Sequence, residues 1–197
     1  KEVEKIIKKN NLNIQDFSEI GCGAGEILNS LSSRFEGAKF VGYEVSEDAY
    51  NLSKQINNKK INFFLKDILE ENIYHELLLC LDVFEHVSDY MGFLKKIKNK
   101  SKYKIFHIPL DMNVLSLLNN SIITARKEVG HLHYFNSNTA LATLNDTGYK
   151  IIDFKFTKKF ELQRKVKLRT YITNFLRKLL FKISPSFSVK LIGGCSL

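Results

Sequence analysis

The sequence predicts an α/β fold: a seven-stranded, mostly parallel sheet with helices on both faces and an antiparallel strand at its edge. Three observations lead there. Strand-like apolar runs alternate with amphipathic helical runs along most of the 197 residues, the order that produces crossover connections. The run LLLCLDVF (77–84) is apolar almost throughout, which suits a strand buried on both faces. Three glycines crowd FSEIGCGAGEIL (17–28), between the first strand and the helix after it. Glycine loses more backbone freedom on folding than any other residue, so the cluster requires a sharp turn or a close approach.

Taken in order, residues 3–10 read as a short leading helix, DFSEIGC as the first strand, and GEILNSLSSRF as a helix with Ile27, Leu28, Leu31 and Phe35 on one face. KFVGYEV is the second strand. Ser46 then caps a helix whose first turn carries Glu47 and Asp48, as the helix dipole favours. INFFLKD is the third strand and LLLCLDVF the fourth. Residues 88–100 read as a helix with a Lys-rich end, and YKIFHIPL as the fifth strand. A less regular stretch spans about 111–136. The helix over 137–147 stops at Gly148. YKIIDFKF and SVKLIGGCSL supply strands six and seven. No repeat or Pro-rich linker divides the chain, so 1–197 reads as a single domain.

Composition narrows the function classes. With 44% hydrophobic and 26% charged residues the chain is an ordinary soluble type, and no apolar run approaches the roughly 20 residues that span a bilayer. KEVEKIIKKN opens as a polar amphipathic helix rather than a signal peptide, and what precedes Lys1 is left open. Cys22, Cys80 and Cys195 are odd in number, scattered and set among apolar neighbours, which points to reduced thiols in a cytoplasm rather than disulfides or a zinc cluster. The net charge of +9 is uneven: residues 155–190 hold eleven Lys and Arg against one acid, Glu161. The rest is a near-neutral body.

Ligands of open α/β sheets sit at the carboxyl ends of the strands. Gly21, Gly23 and Gly25 fall there on strand one, Glu44 on strand two and Asp67 on strand three. A carboxylate at Glu44 can accept from ribose hydroxyls, and one at Asp67 from an adenine amino group. Singly, each acid is more often a solvated loop residue or a cap. The dinucleotide pattern G-x-G-x-x-G fails, because Glu26 stands where the third glycine belongs. An acid at a helix start repels pyrophosphate, so a nucleoside without phosphates fits better than NAD.

On these residues the chain resembles the class I S-adenosylmethionine-dependent methyltransferases, over roughly 16–156 and the final strand. EIGCGAG is similar to the family's first motif, GYEVS to the second and LKDI to the third. CLDVFEHV and GHLHYFN resemble the D-V-x-E-H and G-H-x-x-x-F segments of bacterial small-molecule O-methyltransferases. The resemblance implies a Rossmann-like fold and S-adenosyl-L-methionine as cofactor, leaving S-adenosyl-L-homocysteine. It implies cofactor contacts at Glu19, Gly21, Cys22, Gly23, Gly25, Glu44, Val45, Asp67, Ile68, Leu81 and Asp82. Relatives of the D-V-x-E-H type serve capsule and antigen loci, which implies a sugar, or a phosphorylated or phosphoramidate precursor of surface polysaccharide, as acceptor.

Methyl transfer to a hydroxyl needs alignment and a proton acceptor. His131, His86 and His133 are the catalytic candidates, with His131 the favoured base. His86 either touches the substrate or holds its loop, and one of His131 and His133 is expected to be structural. Asp111, beyond Pro109, is a further candidate for touching the acceptor. A metal on the His131/His133 pair lacks further ligands at convincing spacing, so none is expected. His75 and His107 read as structural or exposed.

The basic insertion (158–187) carries Leu168, Ile172, Phe175, Leu176, Leu179, Leu180 and Ile183 at helical spacing. A helix packed by that apolar face, with its basic face solvated, is the plainest reading. It could also cap an anionic acceptor, lie on an anionic membrane surface or hold nucleic acid. The N-P-P-Y-like tetrapeptide of base methyltransferases is replaced by LDVF, so nucleic acid is not expected. A small anionic acceptor is favoured. Alternatives are a membrane-associated quinone or lipid-ring methyltransferase and a non-catalytic nucleoside-binding module. Oligomeric state is not legible.

Overall fold

The computed structural model describes residues 2–158 and 168–197. Its elements run α1 (Glu2–Lys9), β1 (Asp16–Ile20), α2 (Glu26–Ser32), β2 (Lys39–Glu44), α3 (Glu47–Ser53), β3 (Ile61–Leu65), β4 (His75–Leu81), α4 (Tyr90–Ile97), β5 (Ser101–His107), α5 (Val114–Leu118), α6 (Ser121–Val129), α7 (Ser137–Asp146), α8 (Leu168–Ile183) and α9 (Pro185–Ile192). They form two compact units, residues 1–84 with 92–106, and residues 85–91 with 107–197.

The first unit holds a sheet of order β3-β2-β1-β4-β5. β1 pairs in parallel with both β2 and β4, and β2 with β3. Successive strands run outward from β1 toward β3, then the order reverses between β1 and β4, the place where such sheets open a crevice. Burial follows position. Leu77, Leu78, Leu79 and Cys80 of central β4 are wholly buried, while Phe64 and Leu65 on edge strand β3 stay exposed. Phe17 stacks on Phe40 at 4.9 Å and meets Phe35 at 4.8 Å, with Leu28 and Leu31 of α2 closing the same cluster. Each such side chain contributes about 1.5–3 kcal/mol through burial. Ser46 caps α3 as its sequence predicts, accepting from Ala49 N–H.

Among the described residues the sheet has five strands, not seven, and lacks an antiparallel edge strand. In the second unit YKIIDFKF is not a strand, and SVKLIGGCSL begins inside a helix. Ser184 accepts from Phe187 N–H, and Pro185, whose missing N–H costs nothing at a helix start, opens α9 there. Only after Gly193 and Gly194, both at positive φ, does the chain extend again. What survives of an antiparallel edge is a pair of isolated bridges, Pro109 with Ser196 and Thr157 with Ser196.

The stretch over 111–136, where the family resemblance implies a lid, forms α5 and α6. Asn113 and Ser116 make a reciprocal cap at the start of α5. The basic insertion forms α8, with 159–167 outside the described residues. Its apolar stripe does not pack inward: Ile172, Phe175, Leu176, Leu179 and Ile183 are exposed. The opposite side packs instead, with Arg177 donating to Ile192 O of α9 and Phe181 set edge-on to Phe156. No helix among the described residues is long and apolar enough to cross a membrane.

Candidate functional site

In the first unit, parallel register brings the ends of β1, β2, β3 and β4 out along one edge. Ile20 lies opposite both Tyr43 and Cys80, and Glu44 opposite Leu65. Gly21, Gly23 and Gly25 all have φ between +54° and +77°, a left-handed path that glycine follows without strain. Their surroundings differ. A Cβ on Gly25 would lie 2.4 Å from the Phe63 ring, and one on Gly21 3.1 Å from Val83; beside Gly23 there is open space. Gly25 is therefore a packing requirement, and Gly23 leaves backbone open to a ligand.

Glu44 is buried and clasped by backbone. Its Oε2 accepts from Gly23 N–H at 2.8 Å, and its Oε1 from Val45 and Ser46 N–H at 2.8 and 2.9 Å. A carboxylate has about four acceptor directions, so roughly one remains for a hydroxyl. Asp67 is exposed, with Oδ1 accepting from Leu69 N–H. Val45 is exposed, whereas Ile68 is buried beneath the edge. Leu81 is half-buried, and Asp82 beyond it is exposed with φ +53°, a conformation uncommon outside glycine that Asp tolerates.

Glu19 and Cys22 sit beneath the glycine turn. Burial, with the Glu44 charge second, pushes the Glu19 carboxyl up to about 8, and its Oε2 has no hydrogen-bond partner. Burial likewise pushes the Cys22 thiol up to about 12, with Glu19 and Glu44 adding to it. That thiol is no nucleophile. Glu19 is the more telling: a buried acid kept neutral is a group that an adjacent cation would ionise. Gly turn, clasped acid and exposed acid on three strand ends form a donor and acceptor set fitting a nucleoside carrying a cation, and fitting a pyrophosphate poorly.

The histidines gather in the second unit. His131 is buried, and its Nδ1 donates to Asp111 Oδ2 at 2.5 Å, since a carboxylate only accepts. That fixes the tautomer and leaves the lone pair on Nε2. His86 Nδ1 donates to Gly130 O at 3.1 Å, and the His86 and His131 rings meet edge-on at 5.0 Å. Glu85, also buried, accepts at its carbonyl from Leu132 and His133 N–H, pinning the GHLHYFN segment to the D-V-x-E-H segment. One ligand atom each from Glu85, His86 and His131 lies within 4.8 Å of the others, close enough for a single divalent ion.

His133 goes elsewhere. Its Nε2 donates to Val87 and Ser88 carbonyls and its ring packs on Tyr90 at 4.4 Å, a structural placement. His133 therefore has a different set of partners from His131. His75 is buried between Asp16 and Tyr43, and His107 bonds Thr157. Sequence reading named Asp111 but missed its bond to His131, and missed the grouping of His131 with Glu85 and His86. No local spacing encodes contacts across 20 to 46 positions.

Residues 9–153 match the family model described as a methyltransferase domain. The chain is 27% identical over 127 residues to a ubiquinone biosynthesis O-methyltransferase of Rickettsia typhi, covering 60% of this chain and 49% of that protein. It is 27% identical over 145 residues to a putative methyltransferase 235L of Invertebrate iridescent virus 6, covering 68% and 51%. The chain thus spans about half the length of the curated relatives it matches. Among solved structures, a SAM-dependent methyltransferase from Archaeoglobus fulgidus superposes with TM-score 0.60 at 20% identity, over 98% of this chain and 90% of that one. Magnesium protoporphyrin IX methyltransferase from Synechocystis PCC 6803, with bound SAH, gives 0.62 at 18% identity, over 79% and 73%. These likenesses establish the fold.

Proposed function

Because the chain belongs to the methyltransferase domain family, we propose that it is an S-adenosylmethionine-dependent O-methyltransferase acting on a small, polar, anionic acceptor. S-adenosylmethionine supplies a methyl group already activated on a sulfonium. What remains for the chain is to bind, orient and deprotonate. In the first unit, Glu44 takes a ribose hydroxyl, Gly23 leaves room for the nucleoside, Asp67 accepts from the adenine amino group, and exposed Val45 covers the ring. Glu19, neutral when alone, balances the positive charge. In the second unit, His131 Nε2 takes the acceptor's hydroxyl proton, while Asp111 holds the ring and stabilises the imidazolium that forms. His86 stands beside it.

The observation that carries the O-methyl reading is the buried His131–Asp111 pair, since a hydroxyl needs a base and an already ionised oxygen does not. A sugar or phosphorylated precursor of bacterial surface polysaccharide is the acceptor class we favour, on the D-V-x-E-H resemblance and the basic insertion. The test is single-turnover methyl transfer to a panel of such acceptors, read by mass spectrometry as a gain of one CH₂, with S-adenosylhomocysteine binding followed by calorimetry. His131→Gln is expected to lower the rate by roughly 10²–10⁴-fold while leaving that binding intact. An unchanged rate removes His131 as the base; binding without transfer to any acceptor favours a non-catalytic module.

A second reading has its own observation. The exposed Ile172, Phe175, Leu176, Leu179 and Ile183 of α8 stand with exposed Lys178 and Lys182. An apolar stripe flanked by lysines suits an anionic membrane surface. That placement would serve a lipid-like ring acceptor, and a ubiquinone biosynthesis O-methyltransferase is among the relatives.

A further inference from the structure

The second unit contains a cavity of about 150 Å³ lined by, among others, Asp111, Asn119, Ser121, Arg177, Gly194 and Cys195. Whole-ligand pockets run to roughly 300–1,000 Å³, so this one has room for a substituent rather than a molecule. Its chemistry centres on one cation. Arg177 Nη1 donates to Asn174 Oδ1 at 2.8 Å and Nη2 to Ile192 O at 3.1 Å, but its buried Nε has no partner. No carboxylate among the described residues lies within ion-pair distance of it.

A half-buried guanidinium without a counter-charge is costly, because desolvation penalises the ion and nothing returns the loss. Burial accordingly lowers the Arg177 pKa, with the Cys195 thiol on the same cavity wall pulling the other way. Gly194, at φ +79°, packs directly against this side chain: a Cβ there would lie 2.7 Å from Arg177 Nε and 2.9 Å from its Cζ. Asn119 turns its Oδ1 to Ser121, which leaves its amide N–H groups as further donors on the cavity wall. Asp111 also lines the cavity, but its Oδ2 is taken by His131 and its carbonyl by Asn113 and Ser116.

We infer that Arg177, with Asn119, forms a subsite for an oxyanion, a phosphate or carboxylate carried by the acceptor, next to the Asp111–His131 pair. The inference rests on the methyl-transfer reading for its biological meaning, yet the subsite stands or falls on binding alone. The plainer role for Arg177 is to cap the last carbonyl of α9, where a cation suits the helix dipole. Capping explains the Ile192 bond and leaves the unpartnered Nε and the cavity unexplained.

Selective ¹⁵N-arginine labelling of the full chain reads the two apart. Titrating inorganic phosphate, and separately succinate, at constant ionic strength is expected to move the Arg177 Nε–H resonance saturably with at least one of them, and chloride is expected to leave it in place. Which anion saturates distinguishes phosphate from carboxylate acceptors. A shift that is linear, or shared by the other arginines, overturns the subsite. In the transfer assay, Arg177→Lys, which keeps the charge and a donor for Ile192 O, should raise KM for an anionic acceptor about 10- to 100-fold and leave that for the cofactor unchanged. Equal KM values for both enzymes also overturn it. Transfer that persists without phosphate or succinate binding sinks only this subsite, whereas anion binding without transfer sinks only the methyltransferase assignment.

Discussion

At the ends of β1, β2 and β3 the backbone holds the chemistry: amides of Gly23, Val45 and Ser46 clasp Glu44, and positive φ at three glycines shapes the turn. Around His131 long-range partners hold it: the Asp111 carboxylate orients His131, the Gly130 carbonyl orients His86, and Glu85 lies buried close to both rings. The first arrangement is rigid and general, since any sequence with the right turn builds it. The second depends on particular pairs far apart in the chain; under the proposed function it is where acceptor preference would diverge without disturbing the sheet.

The largest effect expected from this contrast is at Gly25. Gly25→Val puts a β-branched residue at φ +77° with the Phe63 ring 2.4 Å from the new Cβ. It should cost roughly 3–5 kcal/mol in urea unfolding, from left-handed strain plus overpacking. Gly23→Ala meets open space and should cost only about 1 kcal/mol. Equal losses would mean that the turn, and not Phe63, sets the need for glycine.

Next comes Glu19, whose folded pKa of about 8 lies above its ordinary 4.5. The raised value means that the folded state keeps a proton that the unfolded chain releases. Stability from this group is therefore complete below pH 4.5 and declines as pH rises toward 8. Glu19→Gln should remove that slope, gaining roughly 2–4 kcal/mol over the native protein at pH 8 and little at pH 4.5. Denaturant midpoints across that range give the answer, and parallel profiles would refute it.

The smallest effect is expected on α8. Replacing exposed Ile172, Phe175 and Leu179 by Ser should change stability by within ~0.5 kcal/mol per site. The same variant should abolish flotation with vesicles containing phosphatidylglycerol, to which the native chain is expected to bind in preference to phosphatidylcholine alone. A large stability loss would show that this face is covered in solution, and absent flotation would remove the membrane reading.

Several residues explain why the fold was readable and where reading stopped. Ser46 before Glu47 and Asp48, the apolar run through Leu77–Cys80, and the glycines at the first strand end are local signals with local causes, and each sits where expected. The predicted strands six and seven are absent because apolar alternation alone does not secure a pairing partner: 149–156 stays irregular, and 188–192 lies inside α9. Ser184 and Pro185 are the local signal for that helix start. The α8 stripe misled for another reason: periodicity defines a face and says nothing about which neighbour covers it.

Local residue patterns sufficed for the alternating sheet, the glycine turn and the two acids at successive strand ends, because hydrogen-bond register and turn chemistry act over a few residues. Tertiary structure alone decided that His131 pairs with Asp111 rather than His133, that Arg177 turns inward, and that the α8 stripe faces outward. Those outcomes rest on which surfaces meet once the chain has folded back on itself, and contact between residues tens of positions apart leaves no periodic mark in the sequence.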